Sequence, residues 1–360
     1  MPVYLSQMFQ AVPALVQVCR ITGGCFVSSR ASTLAAVRRH YPEISAARFS
    51  KKFRWLRRGN RLLNKAGVIV TGSPYKKLLK PYSAKKCMVF HGTYMFITRQ
   101  AIEENAHFDL LCVTGPRMQS MLGRHPDIRL NCVMTGFLPF AEYPERNAEA
   151  REHKLLSMGL NPEKKTVIYT PSRKSIGSWD LLVEKLITGT PRHYNLILRP
   201  HPSQSLTARL DDRSSFRKMR RLCRERGDAV LDLVDNRLPD VLAVSDLVVS
   251  DANSPAEESL FYDLPQLFIE SPLHSRDRLF NDGLQQGIHA EDLDNLMLLY
   301  ECGMRFWAED NGLANAIERA LASSGEFSSA RSRYFAWVFG ARDRTAPQKV
   351  AAAIDELLVP

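Results

Sequence analysis

Four short stretches of this chain place reactive or anion-binding side chains directly after an apolar run. They are His91-Gly92-Thr93, the run from Thr170 to Lys174, Arg199-Pro200-His201-Pro202-Ser203, and the run from Asp251 to Glu258. An arginine presents a permanently charged fork that fits phosphate oxygens. A histidine takes or gives a proton near neutral pH. Arg199 and His201, locked between prolines, therefore suit a diphosphate and its leaving group. His91 suits a general base on an acceptor hydroxyl, with Gly92 allowing close backbone approach and Thr93 able to cap a following helix. Thr170, Ser172, Arg173 and Lys174 form a plausible anion grip.

The last stretch has two readings. Ser254-Pro255-Ala256-Glu257 fits a capping box, with serine at the N-cap, proline at the first helical position and glutamate at the third. That leaves Asp251, Asn253 and Glu258 unexplained. A helix start also attracts phosphate, and a carboxylate in its first turn can take both hydroxyls of a ribose. On this second reading Ser254 and nearby amides hold a diphosphate and Glu258 holds the sugar.

The elements that must position these groups are short strands alternating with helices. Apolar runs at 67–72, 86–90, 108–115 and 131–136 predict strands in the first half. Those at 166–170, 194–199, 229–234, 246–250 and 266–270 predict strands in the second, with helices at 178–188, 204–226, 237–244, 255–263 and 289–301. Such alternation predicts parallel sheets buried on both faces, and two such halves predict two doubly wound α/β domains. Ligands in that architecture bind beyond the carboxyl ends of the strands, so the cleft between domains is the expected site. A Pro-, Glu- and Asn-containing stretch at 138–163 marks the linker. The expected division is 1–145, 146–335, and a C-terminal 336–360 that returns to the first domain.

Composition bounds the partners. The 360 residues are 45% hydrophobic and 24% charged, with a net charge of +11. That balance suggests an anionic partner. Residues 44–102 contain no Asp or Glu but carry fourteen Lys and Arg. Phe49, Phe53, Trp55, Leu56, Leu62 and Leu63 are interleaved with Arg54, Arg57, Arg58 and Arg61. This segment reads either as an ordinary solvated basic face or as contact with an anionic membrane surface or acceptor. No nucleic-acid-binding signature supports a nucleic-acid partner.

Seven scattered cysteines with no C-x-x-C pair argue against a zinc site or disulfide framework and for a reducing cytoplasm. No signal peptide and no apolar run of spanning length is evident. A P-loop, a dinucleotide fingerprint and a nucleophile elbow are all missing. No metal ligands and no tightly bound cofactor are expected.

Taken in order, FHGT at 90–93, YTPSR at 169–173, ILRPHP at 197–202, SDLVVSDANSPAEE at 245–258 and RDRTAPQKVAAAI at 342–354 resemble the CDP-glycerol glycerophosphotransferase family, the teichoic-acid primases and polymerases. The resemblance covers roughly residues 65–355. It implies a GT-B fold, two Rossmann-like domains facing across a cleft. It also implies transfer of glycerol phosphate from CDP-glycerol to a hydroxyl of a lipid-linked or surface-glycan acceptor at the inner membrane face, with release of CMP. By the resemblance, His91 matches the presumed base, Arg199 and His201 the diphosphate pair, and Ser254 the second serine of a D-Y-S-S turn. Glu258 stands where the family has Asp. Asp251-Ala252-Asn253 departs from the family's turn. Three alternatives remain: a GT-B glycosyltransferase using a CMP- or UDP-sugar; a UDP-N-acetylglucosamine 2-epimerase, which shares the D-x-x-x-x-x-E-E spacing at 251–258; and a basic scaffold that binds nucleotide or polymer without turnover.

Overall fold

The computed structural model describes residues 1–52, 57–206 and 209–359. Two units emerge: residues 1–142 with 336–360, and residues 143–335.

Seven parallel strands form the sheet of the first unit. They are β1 (Pro2–Leu5), β2 (Cys25–Ser28), β3 (Ala46–Arg48), β4 (Val68–Thr71), β5 (Lys85–Val89), β6 (Leu110–Val113) and β7 (Cys132–Met134), in the order β3-β2-β1-β4-β5-β6-β7. Successive side chains point to opposite faces, and here both faces are buried. Tyr4, Phe26, Val70 and Val89 pack on one side; Leu5, Val27, Ile69 and Met88 pack on the other. That two-sided burial is why these strands read as unbroken apolar runs. The Ala346–Leu358 helix completes the first face, with Val350 and Ile354 fully buried beside Leu15 and Val89.

The second unit has six parallel strands: β8 (Lys165–Thr170), β9 (Tyr194–Leu198), β10 (Ala229–Leu231), β11 (Leu247–Ser250), β12 (Gln266–Glu270) and β13 (Met304–Trp307). Their order is β10-β9-β8-β11-β12-β13. Tyr169, Leu198 and Val249 pack against the Trp179–Gly189 and Leu210–Arg226 helices through Trp179, Leu182 and Phe216. In both sheets the strand order reverses beside the first strand, at β1/β4 and at β8/β11. These are the switch points where doubly wound sheets open a crevice at their carboxyl edge.

Several expectations need correction. The strands β1, β2, β3 and β13 were not among those expected. The helix expected over 204–226 is two helices, Pro202–Leu206 and Leu210–Arg226. The one expected over 255–263 ends at Ser259 and continues as a tighter 3-10 turn, Leu260–Tyr262. The basic segment is not one helix face: it runs through β3, the Arg58–Asn64 helix, β4, the Lys76–Leu79 helix and β5. Its Phe49 and Leu63 are 1% exposed in the core, so they are not free for a membrane. Arg54, Phe53, Trp55 and Leu56 lie outside the described residues.

Candidate active site

In the second unit β8 lies between β9 and β11, so the loops leaving their carboxyl ends emerge as neighbours. These are residues 171–178, 199–203 and 251–253. A buried carboxylate joins the first to the third. Asp251, fully buried, accepts the backbone N–H of Ser172 at 2.6 Å and of Ser178 at 3.0 Å through Oδ2. Its Oδ1 accepts the Ser178 hydroxyl. Burial pushes its pKa up, and the three donors oppose that rise. Asp251 therefore ties loops together; it is not an open ligand for a donor molecule.

Asn253 adds a second tie, its amide donating to the Thr170 carbonyl at 2.7 Å. Its Oδ1 faces the Ala256 N–H at 3.4 Å, which makes Asn253, not Ser254, the N-cap. The capping box is thus corrected. Glu257 does not reach back to the cap; it is fully buried and accepts from the Tyr334 hydroxyl at 2.7 Å. Ser254 is half-buried and is the first helical residue. Between the two ties, Ala252 sits at φ +47°, a left-handed conformation unfavourable for a residue with a Cβ. Strain of this kind collects at functional sites.

Arg199 is 7% exposed and donates to the Asp232 carboxylate and, at 2.9 Å, to the Asn236 carbonyl. Its charge is met inside the protein, so the expectation of a guanidinium open to diphosphate is corrected. Lys174 is likewise engaged, by Asp211 at 2.9 Å, Asp212 at 3.6 Å and Asp180 at 3.7 Å. Arg173 is exposed, and its charge together with burial lowers the pKa of His201. The Ser203 N–H donates to His201 Nδ1 at 3.1 Å. A nitrogen that accepts carries no proton, so the neutral ring keeps its hydrogen on Nε2. Nε2–H is then a fixed donor beside an exposed guanidinium. Ser172 is nearly buried, and Thr170 contributes its carbonyl to the Asn253 tie.

Glu258 lies one turn into the Ser254–Ser259 helix and is half-buried. Its Oε2 accepts from Tyr143 at 2.7 Å. Lost hydration raises its pKa to about 7; the tyrosine bond opposes the rise, Glu257 adds to it, and Arg199 opposes it. The carboxyl changes charge near neutrality, which suits a group that exchanges hydrogen bonds with hydroxyls.

In the first unit, His91 follows β5. Its Nδ1 lies 3.2 Å from the Tyr94 hydroxyl, and the Gly72 backbone just past β4 packs against the ring. A Cβ on Gly72 would stand 3.0 Å from that Nδ1 and 2.7 Å from the Ala11 Cβ, so the approach requires glycine. Burial lowers the His91 pKa to about 4, so the imidazole is neutral at pH 7 and able to accept a proton. Tyr94 is at φ +49°, a second left-handed residue beside a candidate catalytic group. Gly92 is half-buried. Thr93 is 1% exposed, and its carbonyl accepts from Arg117 at 2.7 Å. The cap of the following helix is Thr98, not Thr93. Arg57, Arg58 and Arg61 are exposed around the start of the Arg58–Asn64 helix.

Asp232, Tyr143 and Tyr94 escaped the sequence reading, and Ser203 entered it only as part of the 199–203 stretch. Asp232 carried a usable signal, a lone carboxylate inside the apolar run 229–234. Tyr143, Tyr94 and Ser203 had none, since each works through a contact that only folding creates. Among the described residues no group of His, Cys, Asp and Glu could hold a metal, and no helix is long and apolar enough to cross a membrane.

No protein-family model matches the chain, and no curated protein matches it. Solved structures do. The wall teichoic acid polymerase TagF, in a variant soaked with CDPG, aligns over 99% of this chain and 88% of its own, at 13% identity and TM-score 0.68. Anabaena HepE in complex with UDP and glucose aligns over 98% of this chain and 99% of its own, at 13% identity and TM-score 0.58. A glycosyltransferase from Rickettsia africae aligns over 99% and 98%, at 13% identity and TM-score 0.56. At these identities the likeness establishes the fold: GT-B, built of two Rossmann-like α/β domains.

Two outcomes test this geometry. A Cβ on Gly177 would stand 2.4 Å from the Ser172 carbonyl and 2.9 Å from Asp251 Oδ2. Gly177→Ala should therefore cost about 1–3 kcal/mol in urea denaturation; unchanged stability would mean the loop tie is loose. For Glu258, a native pKa raised from 4.5 to about 7 means the folded state keeps a proton that the unfolded state has released between those values. Stability then falls as pH rises through that window. Melting scans from pH 5 to 8 should show a smaller decline for Glu258→Gln than for wild type; parallel profiles would contradict the assignment.

Proposed function

We propose that this chain is a transferase that binds a nucleotide-linked donor at the carboxyl edge of the second unit and moves glycerol phosphate, or a related polyol phosphate, from a CDP-linked donor to an acceptor hydroxyl. The observation that carries this reading is the adjacency of the three loops after β8, β9 and β11. By strand order the loop bearing Arg173, the loop bearing His201 and the turn leading to Ser254 leave neighbouring strands at the unit's switch point, with Glu258 one turn into the helix. An anion with a sugar attached matches that set. The order of HGT, RPHP and the 251–258 turn, and the likeness to a polymerase soaked with CDPG, favour the CDP-polyol donor.

In this reading the acceptor oxygen attacks the distal phosphorus and its proton passes to the His91 imidazole. The bond from that phosphorus to the bridging oxygen breaks, and CMP departs with the electron pair. Charge growing on the phosphoryl oxygens is met by Arg173, His201 and Ser254. Prearranged donors of this kind are the main catalytic contribution in phosphoryl transfer. Arg199 holds the loop after β9 in place through Asp232. Glu258 accepts from the ribose hydroxyls. The acceptor is a lipid-linked or glycan hydroxyl, with the protein peripheral to the inner membrane face. A second reading, sugar transfer from a UDP-sugar, is favoured by the likeness to HepE with UDP and glucose.

Incubation of the full chain with CDP-glycerol or UDP-glucose and a polyol-phosphate acceptor separates the two. CMP release with transfer of phosphorus is expected; UDP release with sugar transfer would move the assignment to the second reading, and turnover of neither would remove both. His91→Ala and His201→Ala should each lower the rate about 10²-fold or more without lowering the melting temperature. Near-normal turnover in either variant would take that histidine out of the mechanism.

A further inference from the structure

The first unit carries a cavity of about 270 Å³ that the reading above does not use, at the carboxyl ends of β2 and β3. Ser29 and four cations line it: Arg48, Lys51, Lys52 and Arg57. The backbone at Phe49 and Ser50 is held by hydrogen bonds. The Phe49 N–H donates to the Ser28 carbonyl at 3.1 Å, and buried Asn60 bonds both the N–H and the carbonyl of Ser50, at 2.9 and 3.0 Å.

Ordinary surface lysines and arginines have carboxylates nearby. These do not. Residues 44–102 contain no Asp or Glu. The preceding acid, Glu43, is held by Arg20 at 2.5 Å. None of the four cations has a salt-bridge partner among the described residues. Four exposed like charges around one hollow make a local positive potential that favours an anion. Arginine forks suit phosphate oxygens, and lysines add point charge.

We propose that this hollow is a binding site for a phosphate ester or diphosphate, separate from the donor loops of the second unit. All seven strands are parallel, so the hollow lies on the same edge of the first unit as His91. Four strand intervals separate β3 from β5, about 19 Å at 4.8 Å each. Resting on the transfer reaction proposed above, the site names its acceptor class: a molecule long enough to carry a phosphate about 19 Å from the hydroxyl that reacts.

The test uses the full chain, with pyrophosphate as the soluble probe and phosphatidylglycerol vesicles as the lipid probe, phosphatidylcholine vesicles serving as the blank. Wild type should bind pyrophosphate, more weakly as salt rises. Lys51→Glu/Lys52→Glu should weaken binding at least tenfold while its melting temperature holds. Lys76→Glu/Lys77→Glu, the same charge change on another exposed stretch of the unit, should stay within twofold. Binding only to phosphatidylglycerol vesicles, with the same variant pattern, would support a lipid phosphate as the source. Binding to neither probe, equal loss in the control variant, or loss in Arg173→Ala instead, would overturn the proposal. Binding intact in a protein that releases neither CMP nor UDP would sink the transferase reading alone.

Discussion

A carboxylate with no water around it holds the carboxyl edge of the second unit in one shape. Asp251 is fully buried and is the acceptor for two backbone N–H groups and a hydroxyl from the loop after β8. Without it those amides would be buried and unpaired, at about 1–3 kcal/mol each. With it, the β8 and β11 loops cannot move independently, and the sheet's switch point has a fixed floor. The left-handed Ala252 and the Asn253 tie follow from that arrangement, because the chain must turn sharply to bring both polar side chains back onto residues 170–178. The helix that starts at Ser254 inherits its direction from the turn.

The same economy governs the other polar residues. Arg199 is spent on the buried Asp232 and Lys174 on Asp211 and Asp212, which leaves Arg173 and the His201 Nε2–H as the groups turned outward. A buried ion pair of the Arg199–Asp232 kind adds little net stability, but it fixes the Pro-His-Pro loop in relation to β10. In the first unit, His91 is set by Gly72 and Tyr94 and kept neutral by burial. The His91 imidazole is neutral at pH 7, and the Glu258 carboxyl changes charge near pH 7.

Much of this was legible in the residues because strands buried on two faces leave continuous apolar runs. GVIVTG, TVIYT and DLVVS marked β4, β8 and β11 within a residue or two, and the polar groups just past each run marked the edge. The misses have physical causes. β1 is four residues long, and only the six residues 6–11 separate it from the Val12–Thr22 helix. β13 is an edge strand whose Arg305 and Trp307 face solvent. The sequence shows the candidate residues by type but not the contacts that occupy them. Sequence shows that an Arg follows a strand; it does not show that Asp232 waits 33 positions later to neutralise it. Asn253 and Ser254 are both good capping residues, and only the backbone turn decides which of them caps.

The account stands on a nucleoside diphosphate lying against the loops after β8, β9 and β11. A crystal structure of the full chain soaked with CDP-glycerol reads that directly. The account predicts diphosphate oxygens within hydrogen-bond distance of His201 Nε2 and the backbone at Ser254, with the ribose at Glu258. Density for the nucleotide elsewhere on the chain, with those three loops untouched, would contradict it.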